Sequence, residues 1–469
     1  MRIEQIYTGC LAQGAYYIES EGEVAIIDPL REVKPYIDKA GEEGNKIKYV
    51  FETHFHADFV SGHIDLAEET GAKIVFGPNA NPTYDVHVAK DGEELKLGKV
   101  TIKVLHTPGH TMESTTYLLL DENGKEHAIF TGDTLFLGDV GRPDLAVKTD
   151  LTREELAGHL YDSLRNKIMT LPDDVIVYPG HGAGSACGKN MRSETVGSIG
   201  EEKETNYALR EDMSKDEFVK EVTEGLVPPP SYFPKNVMMN KEGYDNISDV
   251  ISRGLKALSP EAFEAAANET GALMLDTRNQ DVFAKGFIPN SVFIGIDGGF
   301  APWVGALITD IKMPILIIAD EGREEEVVTR LARVGYDHAI GYLKGGFDAW
   351  KKSGKDIDQV SSISPEKFEG VFKENKPLVI DVRKPGEYDS EHVERAVNIP
   401  LDYINDHMAE FTHSHTQYLH CAGGYRSMIA ASILKSRGFN NLVNIEKGFG
   451  GIKETSVPVT EYVCPSTLK

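Results

Sequence analysis

Short apolar runs recur along the first 200 or so residues, each closed by a polar or glycine-containing turn: Ile3–Tyr7, Ala15–Ile18, Val24–Asp28, Tyr49–Phe51, Lys73–Phe76, Val100–Leu105, Thr115–Leu120, Ala128–Thr131 and Val175–Tyr178. Runs of this length predict strands. Stretches with apolar residues three and four apart, such as Glu154–Leu164, predict helices between them. The alternation implies an α/β sandwich. Ser61 offers an N-cap hydroxyl for a helix running from His63 through Glu69.

The pattern changes between Glu201 and Leu255. Charged helix formers dominate, and the run from Glu201 to Thr205 reads as a solvated helix face. Pro228, Pro229 and Pro230, followed by Tyr232-Phe233-Pro234, read as a rigid connector, and Glu242–Leu255 as a further joining helix.

Beyond it the sequence repeats itself. Leu273–Arg278 corresponds to Leu378–Arg383, Ile288–Ser291 and its surroundings to His392–Pro400, Gly335-Tyr336 to Gly438-Phe439, and Lys344–Phe347 to Lys447–Gly450. The period is about 103 residues, so two copies of one α/β unit follow in tandem. Apolar runs such as Ile315–Ile318 alternate with amphipathic stretches such as Glu325–Val334, the signature of a parallel sheet covered on both faces. The expected domains are 1–245, 246–357 and 358–469, in keeping with a chain of 469 residues, too long for a single core.

Composition narrows the function classes. A formal charge of −25 repels phosphate backbones and speaks against nucleic acid as a partner. No apolar run reaches the roughly 18 residues of a membrane span, and the first residues carry no export signal, so the expectation is a soluble, cytoplasmic protein. Cys10, Cys187, Cys421 and Cys464 are scattered without a C-x-x-C, which favours individually meaningful thiols over a disulfide framework.

Four predicted strand ends carry metal-ligand side chains: Thr53-His54-Phe55-His56-Ala57-Asp58-Phe59, His106-Thr-Pro-Gly-His110-Thr, Gly132-Asp133-Thr134 and Tyr178-Pro-Gly-His181-Gly. On a strand end alternate residues point the same way, so His54, His56 and Asp58 can converge. In the second repeat, Tyr418-Leu-His runs into Cys421-Ala-Gly423-Gly424-Tyr425-Arg426-Ser427 and a helix from Met428 to Ser436. A thiol before exposed helix-start amides is a favoured thiolate, the glycines let the backbone curl around sulfur, and Arg426 adds charge at the rim. Cys421 is the expected nucleophile, with Arg426 as its catalytic companion and Gly423, Gly424 and Tyr425 as the substrate cradle. In the first repeat Asp320 stands at the cysteine position and the loop to Arg323 is two residues shorter, which predicts an inactive copy.

These motifs resemble two families. The four strand-end motifs match, in order, those of the metallo-β-lactamase superfamily, which implies an αββα sandwich with the site at one edge. Two-metal hydrolases of that superfamily carry a second His directly after the motif Asp; here the position is Phe59. The resemblance that remains is to the persulfide dioxygenase branch, and it implies mononuclear Fe(II), with zinc as the alternative, on His54, His110 and Asp133. Two imidazoles and a carboxylate on one face leave room for O2 and substrate. It further implies that His56, Asp58 and His181 orient ligands and substrate from outside the metal, although spacing alone does not separate His56 from a direct ligand. Arg142, in Gly141-Arg142-Pro143-Asp144, is either a fork for a substrate carboxylate or a surface residue in a turn. Cys187 is either a small side chain in a tight loop or a secondary thiol beside the channel, the latter implied by resemblance to bacterial fusions of this domain with sulfurtransferase modules.

The second repeat, from about Ser364 to Val459, resembles the rhodanese family of sulfurtransferases, as do the Asp-x-Arg blocks of both copies. The Cys421 loop encloses four residues before its Arg, one fewer than the cysteine-phosphatase loop, and suits sulfane sulfur better than phosphate. The fold expectation is therefore an α/β chain in which the metallo-β-lactamase sandwich is followed by two rhodanese domains with parallel sheets. The functional expectation is oxidation of a low-molecular-weight thiol persulfide by O2 to sulfite, coupled to sulfur transfer through Cys421 that makes or uses thiosulfate, in sulfide detoxification. The residues leave open a zinc glyoxalase II-like hydrolase fused to a sulfurtransferase, and a sulfur carrier without turnover. They leave open also the choice among glutathione, coenzyme A and bacillithiol, and the direction of transfer. Superfamily resemblance allows a homo-oligomer.

Overall fold

The computed structural model describes residues 1–145 and 151–464. The chain forms two compact units, one of Met1–Ile247 with Ala332–Gly335, the other of Ser248–Leu331 with Tyr336–Lys469. The last five positions of the third predicted domain, 465–469, lie outside the described residues.

The first unit holds two six-stranded sheets. One runs β1 (Arg2–Thr8), β2 (Gln13–Ser20), β3 (Glu23–Ile27), β4 (Lys46–Phe51), β5 (Lys73–Phe76) and β6 (His87–Val88) in spatial order. The other contains β7 (Glu94–Leu97), β8 (Val100–His106), β9 (Thr115–Leu120), β10 (Glu126–Gly132), β11 (Ile176–Pro179) and β12 (Gly197–Ser198), also in order. Their inner faces share one core. Tyr16, Ile18, Ile27, Phe51 and Val75 meet Ile102, Val104, Tyr117, Leu119 and Phe130 there. The residues in between, Ala15, Tyr17, Val24, Ile26 and Val50, point to the other face, where α1 (Lys34–Glu42) and α2 (His63–Thr70) cover them. Strands buried on both faces cannot show polar–apolar alternation, which is why they read as continuous apolar runs. On the outer face of the second sheet, Leu118, Ile129 and Val177 pack under α3 (Arg153–Ser163) and α5 (Lys215–Thr223). The layering is α/β/β/α.

Three local expectations give way. Ser61 does not cap α2; Gly62 precedes the helix, and the Ser61 hydroxyl lies 2.6 Å from Glu52 Oε1 and 2.9 Å from the Pro29 carbonyl. Capping needs the hydroxyl oxygen as an acceptor directly before the helix, and that position is Gly62; the Ser61 hydroxyl donates into the interior. The run from Glu201 is not wholly solvated. It forms α4 (Ile199–Thr205), in which Glu202 is fully buried and accepts from Gly138 N and the Asn206 amide. Tyr232-Phe233-Pro234 opens a helix, α6 (Phe233–Glu242), with proline in its first turn where no amide is needed.

The second unit contains two five-stranded sheets, parallel throughout. The first is ordered Ala257–Leu258, Ala339–Leu343, Ile315–Ile318, Leu273–Asp276, Val292–Phe293; the second is ordered Ser361–Ile363, Leu442–Ile445, Gln417–His420, Leu378–Asp381, Val397–Asn398. Corresponding strands occupy corresponding places, so the sequence repeat is a structural one. In each copy a buried Arg forks onto the Asp two residues before it, Arg278 on Asp276 and Arg383 on Asp381, with Phe347 or Phe449 beneath the guanidinium at 4.3 and 4.0 Å. Among the described residues, no helix is long and apolar enough to cross a membrane.

Phe51 is fully buried, its ring 4.7 Å from Tyr117 across the inter-sheet core. Phe51→Ala should cost about 3–5 kcal/mol, read as a lower urea midpoint for the transition of the first unit; an unchanged midpoint would mean that this core closes over the cavity.

Candidate functional site

Strand β4 lies at the middle of the first sheet, and the chain leaves it at Glu52 into the His54 loop. Asp28, at the end of β3, fixes that departure: its carboxylate accepts from Thr53 N and Thr53 Oγ1, both at 2.8 Å. The second sheet delivers Asp133 to the same place. Gly132 sits at φ +49°, and a Cβ there would stand 2.5 Å from Thr53 Oγ1, so only glycine lets the two strand ends approach this closely.

His54, His110 and Asp133 converge, each buried, with one ligand atom apiece inside a 4.8 Å cluster. Asp133 Oδ2 is 3.5 Å from His110 Nε2 and 3.9 Å from His54 Nε2. The outer ring nitrogens are already committed. His110 Nδ1 donates to the Arg142 carbonyl at 2.8 Å. His54 Nδ1 faces Thr53 Oγ1 at 2.9 Å, whose own hydrogen goes to Asp28, so His54 donates here too. Both Nε2 lone pairs therefore point inward. Burial, and then the neighbouring His56, push the His54 pKa well below its ordinary value and keep the ring neutral. Burial alone would raise the Asp133 pKa, but His181, His54 and His110 together hold its carboxyl well below the usual carboxylate range. Asp133 Oδ2 has no hydrogen-bond partner among the described residues. A buried anionic oxygen without a partner is costly, and facing two imidazole lone pairs it fits a cation.

The other motif residues form two further groups of donor atoms that adjoin this cluster. His56 groups with Asp28 and Glu52, its Nε2 3.1 Å from Asp28 Oδ1 and 3.5 Å from Glu52 Oε2. Phe59 packs its ring against His56 at 4.3 Å and 34°, so the apolar substitution buttresses that orientation. His181 spans two carboxylates, Nδ1 to Asp133 Oδ1 at 2.7 Å and Nε2 to Asp58 Oδ2 at 2.8 Å. Burial lowers the His181 pKa, but Asp133 and Asp58 override it and hold the imidazole well above its ordinary value. Cys187 lies in a cluster with Asp58 and His181, fully enclosed, and burial with the two nearby carboxylates pushes its thiol up. Arg142 is buried and its fork is taken: Nε and Nη2 donate to Asp144 at 2.6 and 2.7 Å, and Nη2 also to the Val227 carbonyl. The carboxylate it binds is two residues away in its own turn.

Sequence reading passed over three contributors. Asp28 and Glu52 complete the His56 environment, and Asp28 closes the predicted strand Val24–Asp28 at the motif edge, which is the signal that points to it. Asn240, on α6, has no such signal. Its amide donates to the carbonyls of His56 and Phe59, both at 2.8 Å, and accepts from Ser61 N at 2.9 Å, clamping the loop from a position 184 residues away.

In the second unit Cys421 follows the central strand Gln417–His420 and starts the turn into the helix Tyr425–Ser436. Its Sγ accepts from Gly424 N at 3.1 Å, with Ser427 Oγ at 3.7 Å. Gly424 holds φ +107°, and a Cβ at Gly448 would stand 2.3 Å from the Cys421 carbonyl, so glycine is required on both sides of the loop. Arg426 pairs in a fork with Glu387 at 2.6 and 2.8 Å. Gly423 is open to solvent. Tyr425 is directed elsewhere than the cradle: its hydroxyl donates to the Gly295 carbonyl of the first repeat at 2.7 Å. At the equivalent position of that repeat, Arg323 is tied to Asp297 and Glu326.

The Metallo-beta-lactamase superfamily profile matches residues 8–181, and the Rhodanese-like domain profile matches 259–353 and 364–455. A metallo-beta-lactamase crystal structure from Staphylococcus aureus superposes with a TM-score of 0.64 at 31% identity, over 73% of this chain and 98% of that one. The chain belongs to the metallo-beta-lactamase superfamily. It carries a superfamily domain followed by tandem rhodanese domains. Within the superfamily it is 30% identical to the Homo sapiens persulfide dioxygenase ETHE1 over 210 residues, 44% of this chain and 74% of that protein. It is 32% identical to a probable hydroxyacylglutathione hydrolase of Schizosaccharomyces pombe over 166 residues, 35% of this chain and 60% of the yeast protein's length.

If Asn240 holds the metal loop, Asn240→Ala should weaken metal affinity about 10–100-fold, measured by competition with a chromogenic chelator. Unaltered affinity would remove Asn240 from the site's support.

Proposed function

We propose that the protein is a non-haem iron persulfide dioxygenase joined to a sulfurtransferase, acting on small thiol persulfides with O2, sulfite and thiosulfate as co-reactants or products. The observation that carries the reading is the division of labour among the motif residues. His54, His110 and Asp133 are left with inward-facing donor atoms, while His56 is turned to Asp28 and Glu52 and His181 already spans two carboxylates. Such a donor set suits one metal with open positions better than two.

His54, His110 and Asp133 would hold Fe(II), which when bound supplies activation of O2 toward the terminal sulfur. The balanced change is R–S–SH + O2 + H2O → R–SH + HSO3⁻ + H⁺. Around it the chain keeps His54 and His110 in one tautomer through Thr53 and the Arg142 carbonyl, and His181 fixes the orientation of the Asp133 carboxylate. Cys187, enclosed beside Asp58 and His181, is kept as a thiol by burial and adjacent negative charge.

In the second unit Cys421 thiolate attacks the terminal sulfur of a persulfide. A bond forms from Sγ to that sulfur, the donor S–S bond breaks, and R–S⁻ leaves with the electron pair. Attack of sulfite on the Cys421 persulfide then releases thiosulfate and regenerates the thiolate; the reverse sequence uses thiosulfate to make persulfide. The Gly424 amide donates to Sγ, and a 12-residue helix starts at Tyr425.

The similarity to hydroxyacylglutathione hydrolases favours a second reading, a zinc thioesterase fused to the same sulfurtransferase. Phe59 counts against it by removing an imidazole from a second metal position. Hydrolysis of S-lactoylglutathione under argon by the zinc-loaded protein, undiminished in the absence of O2, would favour the thioesterase.

The two activities should separate by mutation. Cys421→Ser should abolish sulfur transfer to sulfite and leave persulfide-dependent oxygen uptake nearly intact, and His110→Ala should do the reverse. Loss of both activities in either variant would contradict two independent centres.

A further inference from the structure

The repeat without a cysteine builds one wall of the approach to Cys421. A cleft of about 620 Å³ is lined by Asp281 and Lys285 of the first repeat, Gln359 of the segment that joins the repeats, and Gly423, Glu446 and Lys447 of the second. The wall is tied in place where Gln359 Nε2 donates to the Lys285 carbonyl at 3.0 Å. Gly423 lies two residues from the nucleophile, and a Cβ built on it would meet nothing within 4 Å, so the cleft opens directly onto the outer side of the sulfur-binding loop. Cys421 itself is 1% exposed. A donor must therefore thread its terminal sulfur into the loop and leave the rest of its body outside, against this lining.

The lining has a definite chemistry. Two ammonium groups, Lys285 and Lys447, stand with two carboxylates, Asp281 and Glu446, and the charges sum to zero. A carrier bearing several phosphates needs a net positive lining, because like charges opposed across a cleft cost free energy. A small peptide-like thiol, carrying carboxylates and an ammonium together, matches a lining of both signs. The volume exceeds what a bare sulfane sulfur anion needs and lies in the range of small-ligand sites.

Resting on the sulfur-transfer reading of Cys421, we infer that this cleft binds the body of a zwitterionic peptide-like thiol persulfide, and that the first repeat, through Lys285 and Asp281, sets the specificity of the second. The sulfane sulfur passes to Cys421 Sγ as the donor S–S bond breaks, and the released thiolate stays bound to the cleft until it exchanges. The inactive copy thus works as a positioning wall and needs no nucleophile of its own.

The test uses the full-length protein with three donors: glutathione persulfide, coenzyme A persulfide and thiosulfate, each with sulfite or cyanide as acceptor. Lys285→Glu reverses an exposed charge, so folding should survive; a circular dichroism melt checks this. The expected result is a fall of about tenfold in kcat/KM for glutathione persulfide relative to that for thiosulfate, carried by KM with kcat little changed. A second variant, Asp281→Lys, should shift preference toward coenzyme A persulfide. An unchanged donor ratio in both variants, an equal loss for every donor, or wild-type preference for coenzyme A persulfide would overturn the inference while leaving sulfur transfer standing. Failure of the wild type with all three donors would instead overturn the sulfur-transfer reading beneath it.

Discussion

The Asp28 carboxylate is the constraint on which the candidate metal site depends. Sitting at the end of β3, it receives both the amide and the hydroxyl of Thr53 and faces Nε2 of His56. Three consequences follow from one group. The chain is turned out of β4 at a fixed point; the Thr53 oxygen is left as an acceptor for His54 Nδ1, which sets the inward-facing nitrogen; and His56 Nε2 is turned toward Asp28 and Glu52. Glu52 stands beside Asp28, and burial together with that neighbouring charge raises its pKa well above the ordinary carboxylate value. The donated Ser61 hydroxyl at 2.6 Å then anchors the far side of the loop. The geometry of the ligands is thus decided by hydrogen bonds one layer behind them, as metal sites generally require.

Duplication in the second unit shows a different economy. Both repeats keep the buried Asp–Arg fork over an aromatic ring, an arrangement that organises the strand ends whether or not chemistry takes place there. Only one keeps the glycine-lined loop around sulfur. Tyr425, at the start of the helix that follows Cys421, is anchored on the Gly295 carbonyl, and Phe293 N donates to Ser432 Oγ at 2.9 Å in the same helix. The helix that follows Cys421 is therefore seated on the copy with Asp320 at the matching position, which gives that copy a structural role.

Strands and motifs were legible because each carries its signal locally. The apolar runs marked the sheets, the four motif loops marked the strand ends, and the repeat marked the two parallel sheets. What was not legible depends on partners distant in sequence or on competition within a turn. Asn240 clamps residues more than 180 positions away, and nothing around it differs from an ordinary helix. Ser61 has the look of a cap, yet Gly62 holds the cap position and the Ser61 hydroxyl donates to Glu52. Glu202 sits in a charged run, yet one of its faces meets the Gly138 amide in the interior. Arg142 looks from its Gly/Pro turn like a substrate fork or a surface residue, and the structure shows it buried and paired with Asp144.

The central claim is that one Fe(II) on His54, His110 and Asp133 serves persulfide oxidation. Its most direct test is oxygen consumption by iron-loaded protein given glutathione persulfide, with zinc-loaded protein as the control and sulfite and thiosulfate measured as products. Uptake is expected with iron alone, one O2 for each persulfide oxidised. No uptake by the iron-loaded protein with glutathione, coenzyme A or bacillithiol persulfide would contradict it.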